Sequence, residues 1–153
     1  MVSLLEHYQG KPLSLTVHLI TLSNHRQSWD ISLGLLALAD GNAEKFRDFT
    51  SFLYEQQDLF YNEPFKHKTH ADLIELITEF AQTHDAGVEA AAFQKKMASS
   101  EIYEQGRTPI RYSATRAVWG TPTFLINNAD NVPVNHQSST EDWIQLIDSL
   151  LAQ

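Results

Sequence analysis

The sequence lacks cysteine altogether and is short of positive charge. Without a thiol, the chain as given has no disulfide, no thiolate metal site and no cysteine nucleophile. Only 11 Lys and Arg stand against 19 Asp and Glu, giving a net charge of −8 at neutral pH. Because neutralising phosphates supplies most of the affinity for nucleic acids, this balance argues against a nucleic-acid partner.

Membrane and nucleotide signals are also missing. The longest apolar run, residues 33–39, is far too short to cross a bilayer, and no basic amphipathic helix favours binding to a membrane surface. The first ten residues contain no cationic region followed by an apolar block, so no signal peptide is visible and the cytoplasm is the default location. No Gly-rich phosphate loop and no Gly-x-Ser-x-Gly motif is present, so we predict no cofactor and no hydrolase site.

The patterns that are present predict one helix-rich α/β domain over residues 1–153. Residues 15–22 alternate apolar and polar side chains, which predicts a strand. A second strand at 122–127 leads into the turn residues Asn127 to Asp130, and a short third strand follows at 132–134. Between the first two strands, residues from about 28 to 116 have the spacing of several helices.

Helix signals are strongest in this middle region and at the end of the chain. Ser28, Asn42 and Thr69 or His70 are predicted to open three helices, and Ser139 a last one. Shorter helices are predicted at 2–8, 90–97 and 101–116. The predicted buried side chains are those repeating at helical spacing: Trp29, Leu33, Leu36, Phe46, Phe49, Phe52, Leu53, Leu59, Phe60, Leu73, Ile74, Ile77, Phe80, Trp143, Ile144, Ile147, Leu150 and Leu151.

Histidines and acids give no consistent reactive site. His67 and His70 have a spacing that suits metal ligands, but the neighbouring lysines oppose a cation and no second ligand pair is in view. His25 with Asp30 suggests a base and its orienting acid, yet no nucleophile accompanies them. We therefore predict no catalytic residue, no cofactor-binding residue and no metal site.

One stretch carries a family resemblance. Trp119-Gly120-Thr121-Pro122-Thr123-Phe124-Leu125-Ile126-Asn127 resembles the cis-proline strand of the DsbA-like branch of the thioredoxin superfamily. The helical region, with Gly41-Asn42-x-x-x-Phe46 and Tyr54-Glu55-x-x-x-Leu59-Phe60, resembles the helices inserted into that fold. The resemblance covers nearly the whole chain. It implies a thioredoxin-like fold with a helical insertion at about 28–116.

The family's catalytic motif is where the chain departs from this resemblance. Family members carry Cys-x-x-Cys after their first strand, at the start of a helix whose dipole lowers the thiol pKa. We prefer the alignment in which strand 15–22 is the family's second strand, so that the first strand and the catalytic segment precede Met1. The alternative makes strand 15–22 the first strand and places Ser23 and Arg26 at the thiol positions. The preferred alignment leaves the sheet incomplete, and the alternative leaves the site without thiols. Both alignments therefore predict a domain without redox chemistry.

Two functions follow from the resemblance. The first is a redox-inactive domain that binds a protein or peptide along Trp119, Gly120, Thr121, Pro122 and Thr123, where the Thr121 backbone would pair with an extended chain. The alternative is a fragment or isoform of a thiol–disulfide oxidoreductase whose cysteines lie upstream, which the intact mass of the native protein would reveal. In the preferred alignment two strands lack a neighbour. Strand 15–22 would then pair directly with strand 122–127, or a second copy would complete the sheet.

Overall fold

The computed structural model describes residues 2–129 and 132–152. In the described residues the regular structure is helical, with a 3₁₀ turn at Gln57–Phe60. The chain divides into two compact units. We call residues 18–115 the helical unit and residues 1–17 with 116–153 the terminal unit. The helices are α1 (Val2–His7), α2 (Ser28–Ala39), α3 (Ala43–Glu55), α4 (His70–His84), α5 (Ala90–Met97), α6 (Ser100–Thr115) and α7 (Thr140–Leu151).

Helix α2 lies at the centre of the helical unit. Its sequence is apolar on nearly every side, and it packs against α3, α4, α5 and α6. No residue of α2 is exposed. A helix that is hydrophobic all round is stable in water only when other elements cover it. The four surrounding helices, which have polar outer faces, supply that cover.

The core of the helical unit confirms much of the predicted burial. Phe49, Ile77 and Ile102 are the largest fully buried side chains. The predicted positions that are buried are Leu33, Phe49, Leu53, Phe60, Leu73 and Ile77. The predicted positions that are partly buried against this core are Trp29, Leu36, Phe46, Phe52, Ile74 and Phe80. Leu59 was predicted to be buried but is 46% exposed, because it lies on the outer side of the 3₁₀ turn that buries Phe60.

The predicted helix starts are mostly confirmed by their capping bonds. The Asn42 side chain accepts hydrogen bonds from the backbone N–H groups of Glu44 and Lys45, both at 2.9 Å. Thr69 caps α4 and forms a capping box with Asp72. The prediction for Ser28 was wrong: Gln27 precedes the helix, and the Ser28 hydroxyl donates instead to the carbonyl oxygen of His25 at 2.7 Å.

The capping box of α4 predicts a dependence of stability on pH. The Asp72 carboxylate accepts from the Thr69 N–H at 2.6 Å and from its hydroxyl at 2.8 Å, and these bonds lower the pKa of Asp72. Because this pKa is lower in the folded than in the unfolded chain, the stabilisation is present above the unfolded value of about 3.9 and is lost as the pH falls through the folded value. In urea titrations we expect Asp72→Asn to destabilise the protein at about pH 7 and to destabilise it less at about pH 3.

The matched control for this experiment is Glu75→Gln, which removes an exposed carboxylate from the same helix. We expect this variant to have nearly the wild-type urea midpoint at both pH values. An Asp72→Asn variant that is destabilised equally at both pH values would contradict the assignment of the effect to the capping carboxylate.

The terminal unit is built around Tyr8 and α7. Among its described side chains Tyr8 is the one that is buried. Its hydroxyl lies 2.9 Å from Oδ1 of Asp148 and 3.1 Å from the carbonyl oxygen of Ile144. Burial raises the pKa of Tyr8, as do the hydrogen bond from its hydroxyl and the charge of Asp148. This contact ties the residue that follows α1 to the middle of α7.

The predicted turn after the second strand is confirmed where the structure describes it. Asn127 and Asn128 have positive φ angles of 50° and 65°. Ile126 and Ala129 exchange two backbone hydrogen bonds of 3.1 and 2.8 Å as an isolated antiparallel bridge. This geometry is that of a two-residue turn with both central residues left-handed, which asparagine tolerates well. Asp130, the last residue of the predicted turn, lies outside the described residues.

The structure does not confirm the predicted sheet. In residues 2–129 and 132–152 no stretch forms a β-ladder, so the strand assignments at 15–22, 122–127 and 132–134 are not borne out. An alternating pattern makes a stable strand only when a neighbouring backbone satisfies its N–H and C=O groups. Residues 14–17 and 122–125 make no backbone–backbone hydrogen bond with any described residue.

The burial of α7 was also predicted wrongly. Its side chains Trp143, Ile144 and Ile147 are only partly buried, while Leu150 and Leu151 are 36% and 39% exposed. The helix itself forms as predicted, with a capping box between Ser139 and Asp142. Its amphipathic pattern is therefore correct, but within the described residues no sheet face covers the apolar side completely.

Candidate peptide-binding surface

The five residues Trp119 to Thr123, which we call the 119–123 loop, are all exposed. Trp119 has 87% of its surface open to solvent, the highest value of the exposed large apolar side chains. Buried or partly buried positions are the usual place for tryptophan in a folded chain. A tryptophan with this degree of exposure is therefore an unusual feature.

The loop is held at both of its ends. On its N-terminal side α6 ends at Thr115, and the Arg116 guanidinium donates a 3.1 Å hydrogen bond to the carbonyl oxygen of Asn128. On its C-terminal side the Phe124 ring packs edge-on against Trp143 of α7, with 4.7 Å between ring centroids. Both anchors lie in the terminal unit, so the loop is a short span between two fixed points.

Inside the loop, one side-chain bond fixes the backbone. The Thr123 hydroxyl donates to the carbonyl oxygen of Gly120 at 2.8 Å, and the Thr121–Pro122 peptide bond is cis. Residues 119–123 make no backbone–backbone hydrogen bond with any residue in the described ranges 2–129 and 132–152. The backbone of Thr121 is therefore open to a ligand, beside an exposed indole ring.

The side chains of the 119–123 loop are apolar or carry a hydroxyl group. None of the five side chains is an acid, a base or a thiol. The loop offers a large apolar ring, a Gly that places no side chain over the backbone, and main-chain polar groups. In peptide-binding proteins generally, open main-chain groups pair with an extended chain, and aromatic rings contribute a large apolar contact area.

The histidines and acids considered from the sequence belong to the helical unit. Asp30 has His70 as its partner rather than His25, with 3.1 Å between Oδ1 and Nε2. His18 stacks on Tyr112 at 4.8 Å between ring centroids. Across the described chain, no three His, Asp or Glu side chains come together in a group suited to a metal ion.

Ser23 and Arg26, the residues of the alternative alignment, lie in a polar turn before α2. Arg26 donates to the Asn62 side chain at 3.4 Å, and Asn62 donates in turn to the carbonyl oxygen of Asn24 at 3.0 Å. These bonds give the turn a structural role in holding the segment after α3. Sequence inspection did not identify Asn62, and only a structure reveals such a contact across 38 residues.

The lengths of the helices bear on whether any of them could cross a membrane. The longest described helix, α6, has 16 residues and a Pro inside it. None of the helices in the described ranges has the length and apolarity that a membrane span requires.

Comparison with known proteins agrees with the resemblance at the level of the superfamily. A family model described as thioredoxin matches residues 2–149. Neither the curated proteins nor the solved structures gave a significant match to the chain. The family match spans nearly all of the sequence, including both units and the 119–123 loop. The chain therefore belongs to the thioredoxin family.

Proposed function

We propose that this chain is a DsbA-like member of the thioredoxin family that binds a protein or peptide along the 119–123 loop and has no redox activity of its own. The proposed domain is a single one over residues 1–153, with the helices from about 28 to 116 as its insertion. The observation that carries the proposal is the exposed Trp119 ring beside the open backbone of Thr121.

The absence of redox activity follows from elementary chemistry. Thiol–disulfide exchange begins with a thiolate that attacks a disulfide sulfur. The chain contains no cysteine, so it has neither the attacking nor the resolving sulfur. Binding of an extended chain at the loop requires no sulfur, because it uses main-chain hydrogen bonds and apolar contact.

The partner we propose is a protein or a peptide in an extended conformation, rather than a nucleic acid or a membrane. The net charge of −8 disfavours both phosphate backbones and anionic lipid surfaces. Tryptophan is among the residues most often found to dominate binding energy at protein interfaces. Trp119 is therefore the side chain whose loss should matter most.

Our test uses peptides selected from a random heptapeptide phage library on the immobilised protein and then synthesised with a fluorescent label. We expect Trp119→Ala to weaken binding of a selected peptide at least about tenfold, as removal of an interface anchor does. Pro122→Ala should weaken it as well, because Pro122 shapes the backbone next to Thr121. Fluorescence anisotropy measures the dissociation constants.

Tyr54→Ala is the matched control, since Tyr54 is also an exposed aromatic residue, at 67%, but lies in the helical unit on α3. Binding of the same peptides should be unchanged in this variant. Peptides that bind wild type, Trp119→Ala and Pro122→Ala equally well would show that the binding surface lies elsewhere. Circular dichroism of each variant separates a loss of binding from a loss of structure.

A further inference from the structure

A second exposed apolar feature lies in the terminal unit, at residues 13–17. Leu13, Leu15 and Val17 are 38%, 49% and 46% exposed, and the residues between them are exposed as well. The segment lies outside every helix. In a strand, successive side chains point to opposite faces, so these three apolar side chains would share one face.

The backbone of this segment is unpaired as well. Residues 14–17 neither donate nor accept a backbone–backbone hydrogen bond within the described parts of the chain. Four consecutive residues thus leave their N–H and C=O groups to solvent beside a row of exposed apolar side chains. A row of such groups is the template on which another strand pairs.

Residues 13–17 themselves carry none of the features with which proteins normally prevent such pairing, although Lys11 and Pro12 directly precede them. Exposed strand edges are usually protected by charged side chains, most often Lys, or by Pro. Residues 13–22 contain no Asp, Glu, Lys, Arg or Pro, although the chain as a whole carries 30 charged residues (19 acidic and 11 basic). Nothing in residues 13–17 therefore repels a second, identical segment.

The terminal unit also has little core of its own. Tyr8 is the one buried side chain among its described residues, and Leu150 and Leu151 at the end of α7 are exposed. Exposed apolar side chains commonly mark an interaction site when they form a patch. The unit would gain burial from a partner that covers some of this surface.

We propose that residues 13–17 form the interface of a homodimer, in which two copies pair as antiparallel strands with Leu15 opposite Leu15 of the partner subunit. This register places Leu13 opposite Val17 and Ser14 opposite Thr16, each pair occurring twice. The pattern is apolar at Leu15 and two residues to either side, with a hydroxyl side chain one residue to either side.

This pattern is the reason for choosing a second copy as the occupant. The same patch must complement itself in a two-fold dimer, so its sequence pattern has to match in both directions. Residues 13–17 meet that condition around Leu15, and their lack of charge avoids like charges facing each other across the axis. The proposal does not depend on peptide binding at the 119–123 loop.

The experiment is sedimentation velocity on the full chain from about 1 µM to about 500 µM. A five-residue strand pair is smaller than a typical stable interface, so we expect a monomer–dimer equilibrium with a dissociation constant in the micromolar range. Leu15→Lys and Leu15→Glu each place two like charges opposite one another and should weaken dimerisation at least about tenfold. An equimolar mixture of the two variants should restore the dimer, because opposite charges then face each other.

Thr16→Lys is the control, since in the proposed register its added charge faces Ser14 and not another Lys. This variant should dimerise nearly as well as wild type. Leu15 is exposed in the single chain, so its substitutions should leave the circular dichroism spectrum unchanged. A wild type that is monomeric throughout the concentration range would overturn the proposal. A dimer that neither Leu15 variant weakens, or that the mixture fails to restore, would overturn it too.

Discussion

Replacing Phe49 by alanine is expected to destabilise the helical unit by about 3–5 kcal/mol. The Phe49 side chain is fully buried. Its ring lies 6.0 Å from the ring of Phe52 and 5.2 Å from that of His84, measured between centroids. Removing it takes away apolar contact on α3 and α4 together and leaves a cavity that the surrounding helices fill only in part.

Urea denaturation followed by circular dichroism at 222 nm measures this effect. With a typical urea slope of about 1–3 kcal/mol per molar, the midpoint should fall by at least about 1 M. Tyr54→Ala is the control, because Tyr54 lies on the same helix but is 67% exposed, and its truncation should change stability by less than about 0.5 kcal/mol. Equal midpoints for the two variants would contradict the packing of Phe49 described above.

The second large effect is expected at Gly34, in the middle of α2. Alanine in a helix is more favourable than glycine by about 1 kcal/mol, so Gly34→Ala should stabilise an isolated α2. In the folded unit, however, a Cβ at Gly34 would overlap Cγ2 of Ile77 on α4. Ile77 is fully buried and has no room to withdraw. We expect a net loss of about 1–3 kcal/mol, the usual cost of overpacking a core.

A double-mutant cycle with Ile77→Leu tests this explanation. Leucine keeps the volume of Ile77 but carries no methyl branch on its Cβ, so the atom that opposes the new Cβ is removed. We expect Gly34→Ala to be destabilising in the wild-type background and neutral or stabilising in the Ile77→Leu background, as measured by urea midpoints. If the cost of Gly34→Ala is the same in both backgrounds, the close approach of α2 and α4 is not its cause.

The features that the sequence predicted well are those held together by local bonds. Asn42, Thr69 and Ser139 cap their helices through hydrogen bonds that reach two or three residues along the chain. The turn at Asn127 and Asn128 depends on the ability of asparagine to adopt positive φ. Such signals are complete in a short stretch of sequence, so composition and spacing are enough to identify them.

The features that the sequence predicted poorly depend on distant partners. The alternation in residues 15–22 indicates a strand, but pairing requires a neighbouring backbone, which no short stretch specifies. Gly106 lies inside α6, where an added Cβ would come within 2.9 Å of the Leu33 side chain and 3.2 Å of the Trp29 ring. Leu33 and Trp29 belong to α2, so the sequence around Gly106 does not specify this close approach.

The candidate loop was located through the resemblance and not through its own chemistry. Gly120, Thr121 and Pro122 alone would indicate only a bend in the chain. The 87% exposure of Trp119 had no signal in the sequence, because tryptophan is more often buried than open. The structure shows that the Trp119 ring is exposed, and this exposure makes it the side chain of the loop that is most suited to contact a partner.

The enclosure of α2 by four other helices has a consequence for how this protein can change over evolutionary time. Since residues 33–39 of α2 are all buried or partly buried, an ionisable side chain introduced there would lose its contact with water, whereas Asp30 near the start of the helix has His70 as its partner. Sequence drift in residues 33–39 is thus confined to exchanges among apolar and small residues of similar volume. The outer faces of α3, α4, α5 and α6 remain free to diverge, and new surface properties would arise there while the central helix stays nearly fixed.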